Sequence, residues 1–521
     1  MNYVGTARPI HDAKGKATGY SKYAGDISLS NMAYLCMLHS KIPHGYVKAV
    51  HAEKALALPG VYGVYHCLNT SERKYNRYRS SFDQAYLANE ERAFNQYVRF
   101  VGDKIGAVAA CDQETAEKAA RLVEVEYEEL SFSIGFDDTL AGKNCLDGET
   151  PVRDEYELDV GEKQGSAEGL IEVCSTMELP RLHHATMETH ACIADYDPYS
   201  DMLTVYCPNQ AVHGIRTVLA DFLEMPESHV RVVKATMGGS FGAKQEWFLE
   251  PVTALVAKKL CRPVKLVYSR GEAMTDTIVR GAMRMSARGY YTPDGEMKEI
   301  YCDVTLDAGA YIGNAGDYVR ALAGKPTRCY RIPYMHYHGQ VISSNSPVSG
   351  AFRSWSAAEE ALMMERQLDA AAEKLGMDRL AIRLKNVARS GEEDKKLHLS
   401  LEDIRIGDAI TLGSEKFGWD KLKAEDAAFN ASQQRYRRGV GIGIGGHGNT
   451  YFPRFNDYGE GSISLNADGS MQANFTLHDH GCGTVTAMRM IAAEVLKVPE
   501  DKIYMTEGDT AVTPIDYGCF A

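Results

Sequence analysis

Apolar and polar residues alternate along 203–206 and 264–268, and this period of two predicts half-buried strands. Strand-like runs also fall at 33–38, 63–66 and 105–110. Helical spacing takes over in 113–122, where Asp112 stands as N-cap, and in a long run that begins at Ser356. There Ser356 and Glu359 have capping-box spacing, and Gly376 ends the run. A short helix is expected at 378–388, another at 484–497, and strands at 461–465 and 502–505. Strands and helices interleave throughout, so an α/β chain with mixed sheets is expected. Residues 1–130 read as one αβ unit, and the acidic, glycine-containing stretch 131–165 as a linker. A second unit spans 166–390, and a charged boundary opens a connecting segment, 391–438. The third unit, 439–521, stops without a charged tail or capping helix, so it is expected to be incomplete.

One turn stands out against this pattern. Residues 230–234 read as a strand, Met237 to Lys244 as a glycine turn, and 245–260 as an amphipathic helix. Glycine permits close approach of a ligand, and the first amides of a helix lack internal partners, so the geometry suits an anion or an oxo group. A turn needed only for packing has the same signature. The chain has no Gly-x-x-x-x-Gly-Lys-Ser/Thr run, which excludes a nucleotide-triphosphate loop. Six glycines between 439 and 448 imitate a dinucleotide fingerprint, but a strand-like run follows where that motif needs a helix.

Composition narrows the classes. The 521 residues are 45% hydrophobic and 24% charged, with no apolar run near the ~20 residues of a membrane span, so a soluble, multi-domain protein is expected. A net charge of −13 argues against a nucleic-acid partner. The first residues carry no export signal, which points to the cytoplasm. Twelve cysteines are scattered with no Cys-x-x-Cys pair, as expected of reduced structural thiols. No iron–sulfur or flavin site is evident either, so electrons from any redox reaction must leave through another chain.

Several motifs in order carry a family resemblance. Arg8 to Gly19, Tyr23 to Ile27, Pro59-Gly60-Val61 and Val98 to Ala110 come first. Gln210, the glycine turn, Tyr318-Val319-Arg320-Ala321, Gly350 to Trp355 and His480-Gly481-Cys482-Gly483-Thr484 follow. The chain resembles the molybdenum-binding subunits of the xanthine dehydrogenase and aldehyde oxidase family. That resemblance implies a small hammerhead-like αβ domain followed by molybdopterin-binding domains. It also implies water-dependent hydroxylation at a molybdenum held by a pterin dithiolene, as molybdopterin or its cytosine dinucleotide, with no protein ligand to the metal. A 2Fe-2S subunit and an FAD subunit are the implied partners.

Carried over residue by residue, Gln210 matches the glutamine that bonds a molybdenum oxygen ligand, and Gly239, Phe241 and Gly242 match the backbone against the oxo face. Arg320 matches the arginine that polarises a ring carbonyl in purine oxidisers, and Arg353 a second cation among the cofactor contacts. Trp355 falls where an aromatic stacks on the substrate, Tyr451 or Phe452 near an edge-on aromatic, and Gly481, Cys482, Gly483 and Ala521 at pterin contacts. An aromatic N-heterocycle such as a purine is the implied substrate. An aldehyde oxidoreductase is the alternative within the same fold, and an inactive fragment or assembly module the alternative outside it. Three departures matter: Gln245 replaces a glutamate of purine oxidisers, Cys482 replaces a glutamine, and the family's catalytic glutamate lies beyond the point matching Ala521. The Gly-Cys-Gly variant resembles a bacterial subgroup of selenium-linked purine hydroxylases or selenate reductases. A further chain that completes the molybdenum domain is therefore expected, and little turnover without it.

Overall fold

The computed structural model of the chain describes residues 3–78, 88–146, 150–163, 165, 168–432, 435–448 and 459–519. The alternating run near the start forms the strand Ala33–His39, and it joins two units that the hydrophobic pattern separates. It pairs antiparallel with Lys104–Ala110 and parallel with Val264–Val267, Leu35 lying opposite both Ala109 and Leu266. Seven strands thus make one mixed sheet, in the order Val230–Lys234, Met202–Cys207, Ala191–Asp197, Val264–Val267, Ala33–His39, Lys104–Ala110, Val61–His66. A single apolar core follows it from Leu35 and Ala107 through Val205, Val232 and Trp247 to Leu266. Each such large apolar side chain contributes about 1.5–3 kcal/mol on burial.

A second sheet has the order Ile171–Leu179, Ala282–Tyr291, Met297–Gly309, Tyr334–Ser343, Val152–Gly161. Its last strand lies inside the stretch read as a linker. This edge strand alternates Tyr156, Leu158 and Val160, turned inward, with the exposed Glu155, Glu157 and Asp159. The helix Ala357–Leu375 packs Met363, Met364, Leu368 and Ala371 into this sheet's core and ends at Gly376 in the left-handed region. Its start departs from the expected capping box. Ser356 has φ 57° and makes no side-chain cap bond, while Glu359 pairs with Arg280. The segment 391–438 holds two helices, Ile406–Phe417 and Trp419–Ser432. Of the glycines after it, Gly446 is closely packed, since a Cβ there would lie 2.6 Å from Cys329 Sγ, whereas Gly439 and Gly441 face open space.

The third sheet, Gly461–Leu465, Met471–Phe475 and Ile503–Glu507, carries the helix Thr484–Leu496. The chain then runs along the free edge of the seven-stranded sheet, where Asp509 bridges Val233. Val232 N donates to Thr510 Oγ1 (2.9 Å), Thr510 N to Val232 O (3.0 Å), and Lys234 N to Gly508 O (2.7 Å). Arg231 holds the Asp509 carboxylate at 3.0 and 2.6 Å. The start of the chain is stitched to the same helix: the Tyr3 and Val4 amides each donate to Glu494 at 2.8 Å. The cysteines from Cys36 to Cys482 are free thiols.

Candidate functional site

The helix expected to begin at Gln245 begins at Glu250. Residues 241–249 instead form an irregular segment whose apolar side chains Trp247, Phe248 and Leu249 are buried. Gly239 and Gly242 have φ of +95° and +102°. Gly242 is required twice over, since a Cβ there would fall 2.6 Å from the Ala351 carbonyl oxygen. Phe241, at φ 57°, holds a conformation that costs a non-glycine residue about 1 kcal/mol. Glu188 clamps the turn at both ends, accepting from Gly238 N at 2.7 Å and from the buried Lys244 Nζ at 2.5 Å.

The consequence is a cradle. Among the described residues, the amides of Gly239, Ser240, Phe241 and Gly242 donate no hydrogen bond. Successive unpaired N–H groups in a turn attract a negatively charged or oxo group. The turn itself supplies these donors, in place of the helix end that the hydrophobic pattern suggested.

Gln210 lies against this turn, 3% exposed. Its amide N donates to Lys244 O at 2.8 Å, its Oε1 accepts from the Ser240 hydroxyl, and its Nε2 donates to Cys519 O at 2.6 Å. Gln245 Nε2 reaches the same carbonyl at 3.3 Å. Neighbouring Asn209 donates to Glu246 O at 2.9 Å. Burial pushes the Glu246 carboxyl up to about 8, against the pull of Arg77. Burial, helped by Lys234, lowers His478 to about 3.

The Arg353 segment docks directly on the turn, with Arg353 N donating to Phe241 O at 2.8 Å. Its side chain is exposed and pairs with no acid among the described residues. Trp355 sets its ring edge-on to Tyr318, with centroids 5.1 Å apart. Arg320 is different. Its guanidinium is held by Asp154 at 2.7 and 2.8 Å, so it is not the open substrate-side cation that its motif position implies. Asp154 comes from the edge strand inside the presumed linker, and nothing in the sequence joins the two residues.

Gly481-Cys482-Gly483 forms a second turn. Asp479 accepts from Gly481 N (2.8 Å), Gly483 N (3.3 Å) and Val485 N (3.3 Å), and the exposed Cys482 Sγ lies 2.8 Å from Thr484 Oγ1. Glu507 ties this turn to the sheet edge, accepting from Asp479 N at 3.3 Å and Lys234 Nζ at 3.1 Å. The structure therefore brings together Gln210, Gly239, Phe241, Gly242, Gln245, Arg353 and Trp355, with the Gly481–Gly483 turn joined through Lys234. Tyr451, Phe452 and Ala521 lie outside the described residues. Among the described residues no group of His, Cys, Asp and Glu could hold a metal ion. Glu188, Ser240, Lys244, Arg280 and Asp479 were missed. Ser240 and Lys244 lie within the glycine turn and Asp479 flanks its motif, so these could have been found, whereas Glu188 and Arg280 carry no local signal.

Residues 18–131 match the aldehyde oxidase and xanthine dehydrogenase a/b hammerhead domain. Residues 152–387 and 412–521 match molybdopterin cofactor-binding domains. The chain is 30% identical to the xanthine dehydrogenase molybdenum-binding subunit of Escherichia coli O157:H7, across 98% of this chain and 68% of that one. It is 32% identical to a "Probable xanthine dehydrogenase" subunit of Bacillus subtilis (strain 168), across 99% and 67%. Quinoline 2-oxidoreductase from Pseudomonas putida 86 has the same fold, with a TM-score of 0.88 at 22% identity over 99% of this chain and 68% of that one.

Proposed function

Since this chain belongs to the xanthine dehydrogenase and aldehyde oxidase family of molybdenum-binding subunits, we propose that it hydroxylates an aromatic N-heterocycle such as a purine, with oxygen from water. The observation that carries this reading is the row of four unpaired amides beside the buried Gln210 side chain. That donor set fits an oxo-bearing group held by its own organic ligand, because its amides offer hydrogen bonds to an oxygen. When bound, molybdopterin or its cytosine dinucleotide supplies the two-electron redox centre.

The chain's residues do the rest. Phe241 and Gly242 present amides that favour negative charge, and Gln210 fixes the orientation of an oxygen ligand. Gly481, Cys482, Gly483 and Ala521 contact the pterin in this reading. In this reading Trp355 stacks on a flat ring, Tyr451 or Phe452 is the edge-on aromatic, Gln245 bonds the ring's edge, and Arg353 balances negative charge. Of the nearby carboxylates, Glu188 pairs with Lys244 and Glu507 with Lys234, while Glu246 is wholly buried with neither oxygen hydrogen-bonded among the described residues. None of these three carboxylates is assigned as the general base. Iron–sulfur and FAD subunits are the proposed electron partners, and the cytoplasm the proposed location. The exposed Cys482 thiol supports a place in the selenium-linked subgroup.

Metal analysis and native mass measurement of the complex from its own source test this reading. Molybdenum, pterin and partner chains are expected, with turnover of xanthine or hypoxanthine; a chain free of both metal and pterin sinks the proposal. The Arg320–Asp154 pair favours a second reading, an aldehyde oxidoreductase. Replacing Arg320 separates the two: Arg320→Met is expected to lower kcat/KM for a purine about tenfold if the guanidinium leaves Asp154 for the substrate, and to leave an aldehyde within about twofold.

A further inference from the structure

The turn that carries Arg353 and Trp355 is strained and tied down from outside. Ser354 and Ser356 both sit in the left-handed region, at φ 64° and 57°, where residues with a Cβ are disfavoured. Such a turn persists only when its surroundings over-determine it. Two cations do this. Arg280 donates to Arg353 O at 2.6 Å and pairs with Glu359. Lys325, 9% exposed, donates to Trp355 O at 2.5 Å and to Ser356 Oγ at 2.7 Å. Its Nζ also lies 6.0 Å from the Trp355 ring centroid.

We propose that Lys325 is a positioning residue that holds the strained turn 353–356, and with it the Trp355 ring, in the wall that receives the substrate. Lys325 need not touch substrate; it acts through the carbonyl, hydroxyl and ring that it binds. Ring placement is then set by a side chain about thirty residues away in sequence, at the end of a different helical segment. The function assigned to the wall rests on the reading above, whereas the tether itself does not.

The test labels the full chain with fluorotryptophan and follows its three tryptophans by fluorine NMR, with the Trp355 resonance assigned through Trp355→Phe. Lys325→Met is expected to shift or broaden the Trp355 resonance alone, leaving those of Trp247 and Trp419 in place. Adding Ser354→Gly and Ser356→Gly, which relieve the strain, is expected to sharpen it again. In the active complex the same variant is expected to raise KM for a flat heterocycle about tenfold with kcat within about twofold, and to leave a small aldehyde unaffected. An unmoved Trp355 resonance overturns the tether. A moved resonance with unchanged KM leaves the tether standing and sinks the substrate-wall reading instead. Should Lys325→Met unfold the chain, Ser356→Ala removes one acceptor alone, and an unmoved Trp355 resonance there overturns the proposal equally.

Discussion

Glu246 stands beside Gln245 in the sequence, yet no chemistry could be read for it because its environment is assembled from distant segments. Its carboxyl is wholly buried and raised to about 8 from 4.5. Folding therefore favours its neutral form: the stabilisation is complete below about 4.5 and is lost as pH rises through about 8. Glu246→Gln, neutral at all pH, is expected to raise stability at pH 8 by roughly 1–3 kcal/mol and to change it little at pH 4.5. Denaturant unfolding at both pH values checks this, and equal effects at the two would refute it. Gln210, Gly239, Phe241, Gly242, Gln245 and Arg353 were legible because each sits in or just ahead of a short contiguous motif. Arg320 was legible as a motif position but not as a side chain, since its partner Asp154 is 166 residues away.

At the scale of elements, strands of the seven-stranded sheet were readable both where burial alternates, as in Met202–Cys207, and where a short apolar run is buried on both faces, as in Lys104–Ala110. The stretch 241–249 misled because a buried loop with Trp247, Phe248 and Leu249 has the apolar density of a helix without its hydrogen bonds. The capping box at Ser356 misled because both of its side chains are claimed elsewhere, Ser356 by Lys325 and Glu359 by Arg280. The dock of the third sheet had no sequence signal, because its bonds, such as Arg231 to Asp509, join residues 278 positions apart. Asp509→Ala removes the bidentate partner of Arg231, a pair in which the arginine is partly exposed and the aspartate buried, and is expected to cost roughly 1–2 kcal/mol after allowance for solvent screening. Hydrogen exchange should then quicken at Val232 and Lys234, whose amides donate to Thr510 and Gly508, while Val205 in the same core stays protected. Unchanged exchange at Val232 would mean that the edge pairing holds without the ion pair.

Across the whole molecule, buried titratable groups of both kinds oppose one another. Burial lowers His184 and His213 to about 4 and His190 and His478 to about 3, so their contribution is present above 6.5 and lost as pH falls. Burial raises Glu246 and Glu360 to about 8, Glu250 to about 7 and Asp103 to about 6, so theirs is present in acid and lost as pH rises. Between about 4.5 and 6.5 the two proton counts offset each other. Calorimetry from pH 3 to 9 is expected to show a plateau of Tm in that window with a fall on either side; a steady rise from pH 5 to 8 would refute it. The family and the general fold class were legible from ordered motifs, but the shared sheet was not, because no local pattern says that Ala33 will lie opposite Val264. That pairing has a consequence during synthesis. At ~5–20 residues per second, the ribosome makes Val264–Val267 roughly 10 to 45 s after Ala33–His39, and through that interval the earlier strand has one edge without its partner. The nascent chain is thus exposed to edge-to-edge association with its neighbours on a polysome, and a chaperone that shields the first forty residues should raise its yield more than one acting after release.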